Sequence, residues 1–110
     1  MRRGEVWWAD LPAPAGRRPV LLLSLDEAYL VRSLVTVAPV TTKIRSIPVE
    51  IPLGVEDGLP KACVANLDSL VTVPKALLQK RIAALRPEKL KGAEEALRFA
   101  LDLPPFRERE

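Results

Sequence analysis

The chain contains no histidine and only one cysteine, Cys63. That removes Ser-His and Cys-His catalysis, precludes an internal disulfide and leaves carboxylates alone to hold a metal, so zinc chemistry is excluded and neither metal nor cofactor is expected. Side-chain amides are nearly missing too, with Asn66 and Gln79 the only two. Together with a single methionine and 11 prolines, this composition points to a hot habitat. No apolar run approaches the roughly 18 residues that mark a membrane span, so no membrane role is expected. Met1-Arg2-Arg3-Gly4-Glu5 is charged and no apolar stretch of signal-peptide type follows it, which argues for a cytoplasmic protein.

What is present is enough for one modest core. At 110 residues the chain is expected to form a single domain over 1–103 with a loose polar tail over 104–110, so any active site lies on the surface or at a seam between two copies. The formal charge of +3 is unevenly spread: residues 1–45 carry seven basic and four acidic side chains, which accounts for the whole excess. Clustering beside one strand, rather than the net value, makes a polyanion a candidate partner.

Read in order, Glu5 to Asp10 is a short strand with aromatic residues, broken by the turn chemistry of Leu11 to Gly16. Pro19 to Ser24 is a second strand, apolar on both faces and therefore central. Asp26 to Arg32 reads as an excursion with a helical turn, and Leu34 to Val40 as a third strand. Pro48 to Leu53 alternates like a strand, but its two prolines place it at an edge. Lys61 to Asn66 and Leu70 to Val73 read as neighbouring strands with Asp68 and Ser69 at the bend between them. Lys75 to Lys80 predicts one or two helical turns. Pro87 opens the one strong helix, in which Leu90, Ala93, Leu97, Ala100 and Leu101 recur on one face. Short strands at this spacing predict a mainly β protein, a compact antiparallel barrel or sandwich, closed by a C-terminal helix.

The chemistry-bearing stretch is Arg17-Arg18-Pro19, where two arginines run straight into the second strand. Pro19 fixes its own φ and favours an extended Arg18, so the guanidinium is presented at the strand mouth, a place for phosphate. Pro39-Val40-Thr41-Thr42-Lys43 brings hydroxyls to a second strand end. Trp7 and Trp8 alternate faces; the exposed one is a candidate to stack on a base, and which of the two that is stays open.

Arg3 to Leu11, Gly16 to Ser24 and Pro39 to Thr42, taken in that order and spacing, resemble the MazF/PemK family of toxin endoribonucleases. The likeness continues through Asn66 to Val73 and Glu94 to Leu101 and so covers nearly the whole chain. It implies a small SH3-like β-barrel of the PemK and CcdB type, a homodimer, and metal-independent cleavage of single-stranded RNA, with neutralisation by a cognate antitoxin whose acidic, flexible segment lies in the RNA groove. Carried over by position, Arg18 falls on the catalytic arginine and Thr41 on the catalytic threonine. Arg17, Thr42, Lys43, Arg45, Trp7 and Asp68 are candidate RNA contacts. Compared with the family, the loop before the arginines is short and lacks a carboxylate, and the later acidic-Gln pair stands as Asp68-Ser69.

Such cleavage needs no enzymic nucleophile, because the 2′-hydroxyl of the RNA attacks the adjacent phosphorus. It needs the phosphate held in line and its growing charge stabilised. A guanidinium suits both tasks: Arg18 holds the phosphoryl oxygens and stands near the 5′ oxygen as proton donor, while the Thr41 hydroxyl donates to the phosphorane or aligns the 2′-hydroxyl. The products are a 2′,3′-cyclic phosphate and a 5′-hydroxyl. The alternative is a non-catalytic module on the same barrel, either a gyrase poison resembling CcdB or an inactive RNA binder.

Overall fold

A computed structural model describes residues 1–104 of the chain. Of the tail expected to be loose, residues 105–110 lie outside the described part. Among the described residues seven strands form one antiparallel, curled sheet: β1 (Glu5–Asp10), β2 (Arg17–Leu22), β3 (Leu34–Thr41), β4 (Glu50–Leu53), β5 (Cys63–Asn66), β6 (Val71–Pro74) and β7 (Leu78–Ala84). Between β2 and β3 lies a one-turn helix, α1 (Ala28–Val31), and α2 (Pro87–Ala100) follows β7. The order across the sheet is β4-β5-β3-β2-β1-β7, with β6 added to β3.

The longest strand, β3, organises the fold. Along one edge it pairs with β2 through Val37, Ala38 and Pro39. Along the other it pairs first with β6, from Leu34 to Val37, and then with β5, at Val40 and Thr41. The two strands expected to neighbour each other therefore lie end to end on β3. The reach of an eight-residue strand is what allows this, since each short partner covers only half of it.

Both faces of the sheet are covered near its middle, as the apolar run of β2 predicts. Leu21 joins Val6, Ala38, Val40 and Ile51 in a core beneath α2, while Val20 and Leu22 join Ala9, Val35, Val37 and Tyr29 on the opposite face. The helix starts at Pro87 and buries Ala93 and Ala96. Leu101, placed on its apolar face by periodicity, stands just past the helix end and is exposed. Gly92 lets α2 approach β4 closely, since a Cβ there would stand 2.9 Å from the Ile51 Cδ1 atom.

One expectation fails clearly. Lys75–Leu77 makes only a 3₁₀ turn, and Leu78–Ala84, with its first half read as helical, is the strand β7 on the outer edge of β1. The i, i+4 spacing of Leu78 and Ile82 imitates a helix. The charged stretch between them is what an edge strand carries to deter pairing with another chain. The edge position expected for the proline-flanked strand does hold, with β4 at the opposite end of the sheet.

Candidate functional site

The hairpin joining β1 to β2 sets Arg18. Its loop closes through the Leu11 N–H donating to the Gly16 carbonyl at 3.1 Å, and Gly16 adopts φ +67°, a conformation costly for side-chain-bearing residues. Arg18 then enters β2 opposite Ala9 and donates its Nε–H to the Ala15 carbonyl at 3.1 Å. One donor thus ties the guanidinium to the loop, and its terminal nitrogens make no hydrogen bond among the described residues. None of the ion pairs among the described residues involves Arg18. Arg17, on the other side of the strand, lies 5.0 Å from the ring centroid of Trp8.

Strand register carries the rest of the site. Arg18 and Val20 share a face of β2, and Val20 stands opposite Pro39, so Pro39 and Thr41 project to the same side as Arg18. Thr41 is opposite Val64 on β5, and Asn66, two residues on, is opposite Glu50 on β4. Four adjacent strands therefore send Arg18, Thr41, Asn66 and Glu50 to one face. There they line a groove of about 270 Å³, joined by Lys43 and Arg45 from the β3–β4 loop and by Ser69. The Thr41 Oγ1 accepts the Lys43 N–H at 3.1 Å, which leaves its own hydroxyl proton free to donate. Thr42, Lys43 and Arg45 are exposed.

Glu50, read from sequence only as a strand residue, is 8% exposed. Its Oε1 accepts the N–H groups of Arg45 at 2.9 Å and Ser46 at 3.1 Å, and so holds the loop where Ser46 adopts φ +56°. Its Oε2 is buried without a hydrogen-bond partner. The expected pair of cation and hydroxyl is thus met by a carboxylate supplied from β4 rather than from the β1–β2 loop. The signal in the sequence was the alternation Pro48 to Leu53, which sets Glu50 opposite in facing to Ile51 and Leu53.

Two apolar depressions flank this polar groove. One, on the Arg18 face, is shared through Arg18 and Pro39 and walled by Leu11, Pro12 and Val71. The other, around the end of β3, is reached through Thr41 and walled by Trp8, Pro19, Thr42 and Leu59. Trp8 is therefore the tryptophan that stands by the threonines. Trp7 is half-buried, packs against the core around Val20 and donates its indole N–H to Glu5 at 3.0 Å, outside all three of these depressions. Asp68 is exposed beside the groove, with its N–H bonded to Asn66 Oδ1 at 2.9 Å, while Ser69 and Asn66 line the groove itself. Among the described residues no three His, Cys, Asp or Glu side chains gather at one place.

The sequence pattern of the PemK-like, MazF-like toxins of type II toxin–antitoxin systems matches residues 2–101. The chain is 40% identical over 101 residues to a protein named probable endoribonuclease MazF5 of Mycobacterium tuberculosis (strain ATCC 25618 / H37Rv), covering 91% of this chain and 92% of that one. Its fold superimposes on the Mycobacterium tuberculosis toxin MazF-mt6 with a TM-score of 0.84 at 31% identity, over 91% of this chain and 98% of the other. A mycobacterial endoribonuclease solved in complex with its cognate antitoxin gives a TM-score of 0.84 at 30% identity, over 94% and 97%. With a half-barrel sheet, a closing helix and a match running from end to end of the described strands, the chain belongs to the PemK/MazF family of type II toxin–antitoxin toxins.

Proposed function

We propose that the chain is a metal-independent endoribonuclease that cuts single-stranded RNA at short sequence motifs, leaving a 2′,3′-cyclic phosphate and a 5′-hydroxyl. The observation that carries this reading is the convergence of Arg18 and Thr41, from different strands, on one cationic groove. Arg18 holds the scissile phosphate through its free terminal nitrogens, stabilises the charge that grows on the phosphorane and donates a proton to the leaving 5′ oxygen. Thr41 donates its hydroxyl to the same oxygens or aligns the 2′-hydroxyl. Lys43 and Arg45, with Arg17 and Thr42, follow the flanking phosphates, so binding weakens as salt rises. The apolar depressions on either side of Arg18 and Thr41 suit nucleobases, with Trp8 the stacking partner in one of them and Asp68 at the rim. Trp7, anchored by Glu5, supports the strand that carries Trp8.

Two relatives carry the word endoribonuclease in their names, and one was solved with its antitoxin. The same cationic groove suits an antitoxin whose acidic, flexible segment competes with RNA. The chain acts in the cytoplasm as a homodimer, for which the excursion between β2 and β3 leaves Leu25, Leu30 and Val31 exposed, beside Leu34 at the start of β3. Its composition fits a thermophile, and a thermal midpoint above about 65 °C is the corresponding expectation.

The test is incubation of the purified protein with a long unstructured RNA in EDTA, followed by mapping of fragment termini. Discrete cuts with 5′-hydroxyl ends are expected. Intact RNA under conditions where binding is demonstrable would replace the nuclease with a passive binder on the same barrel.

A further inference from the structure

The geometry points to Glu50 as the group that takes the proton from the attacking 2′-hydroxyl, an assignment that rests on the nuclease reading. Transesterification by a neutral 2′-hydroxyl needs an acceptor for that proton, and neither Arg18 nor Thr41 accepts one near neutrality. Of the side chains lining the groove, Lys43 and Arg45 are exposed cations and Asn66 and Ser69 are not bases. Among the described residues Glu50 is the one carboxylate there. Its two oxygens are differently employed: Oε1 is fixed by the N–H groups of Arg45 and Ser46, whereas Oε2 is buried with no partner. A carboxylate oxygen withdrawn from water is costly to leave unbonded, so a substrate hydroxyl that donates to it replaces a missing interaction. The charged groups around it are Arg18, Lys43 and Arg45 in the groove, and Glu88, Lys89 and Glu95 in the depression beneath α2 that Glu50 also borders.

The step balances within the site. Glu50 Oε2 accepts the proton as the bond from O2′ to phosphorus forms. The bond from phosphorus to O5′ breaks, and the departing oxygen takes a proton from Arg18. Water then returns a proton to Arg18 and removes one from Glu50, so nothing is consumed besides the phosphodiester.

Glu50→Gln separates a base from a loop anchor, because the amide keeps an oxygen for the Arg45 and Ser46 N–H groups and loses only the basic site. Expected are RNA affinity within about 2-fold of wild type and a single-turnover rate lower by about 10² to 10⁴-fold. A wild-type rate in Glu50→Gln would overturn the assignment. Should that variant fail to fold, Glu50→Ala with added formate gives the reading: recovered cutting at the same bonds upholds it, and no recovery overturns it. A wild-type chain that leaves RNA uncut would remove the nuclease reading and this assignment together, whereas a cutting wild type with an equally active Glu50→Gln removes the assignment alone.

Discussion

Replacing Arg18 by alanine deletes the only half-buried cation of the groove among the described residues, and Thr41→Ala deletes its strand-borne hydroxyl. Each loss is expected to lower the single-turnover cleavage rate by about 10² to 10³-fold or more, the usual cost of one preorganised donor, with little change in melting temperature. Arg18→Lys should not restore the rate, since an ammonium cannot both bond the Ala15 carbonyl through Nε and grip a phosphate in two places. A rate near wild type in Arg18→Ala would remove it from the chemistry. Glu5 offers a separate test of stability. Burial pushes its carboxyl up, but hydrogen bonds from Trp7, the Arg2 N–H and Arg81, with the nearby N-terminus, outweigh this and hold it below the ordinary 4.5. A depressed folded-state value means the ionised form stabilises the fold above the ordinary value, and this stability is lost as pH falls through the folded value. The stability gap between wild type and Glu5→Gln in urea titrations should be full at pH 7 and close in acid. A gap independent of pH would contradict it. Glu5→Ala, which also strands the Trp7 indole N–H, should cost about 1–3 kcal/mol. That Arg18 and Thr41 stand at strand ends was legible from the proline and β-branched neighbours, whereas the roles expected of them came from the family resemblance. For Glu50 the local alternation sets only its facing, and its place in the groove depends on the register across β4, β5 and β3.

Elements differ in how openly the chain declares them. β2 was plain because a run apolar on both faces has one low-cost place, the sheet centre. α2 was plain from its proline start and its period. β7 was hidden because its pairing with β1 is non-local and its own residues, Gln79 to Arg81, resemble a solvated helix face. The seam between α2 and β4 can be tested as a unit. Gly92→Ala gains helix propensity of about 1 kcal/mol but drives a Cβ to 2.9 Å from Ile51 Cδ1, which lies in the core and yields only with repacking. Made in wild type, the substitution should be neutral or destabilising. Made on Ile51→Val, which lacks that atom, it should stabilise by about 1 kcal/mol. Equal effects in both backgrounds, measured by urea unfolding, would mean that the helix does not press on β4 as described.

For the whole molecule, the exposed apolar residues of the β2–β3 excursion and the cationic groove lead to different expectations. Sedimentation equilibrium should return the mass of two 12.2 kDa chains, and the double substitution Leu30→Glu, Val31→Glu should shift it toward one. A wild-type monomer at micromolar concentration would contradict the dimer. Barrel class and the cation-hydroxyl pair could be read from the sequence because they rest on strand ends and apolar runs. How the strands pair around β3 and which tryptophan meets the threonines could not, since both are fixed by long-range registry. On the proposed function, RNA is cut in this groove by its own 2′-hydroxyl. The most direct measurement uses an oligoribonucleotide spanning a mapped cut, with a single 2′-deoxy nucleotide on the 5′ side of that bond. It should compete for binding as well as the all-ribose strand and remain uncut; cleavage of the modified strand at the same bond would contradict the account.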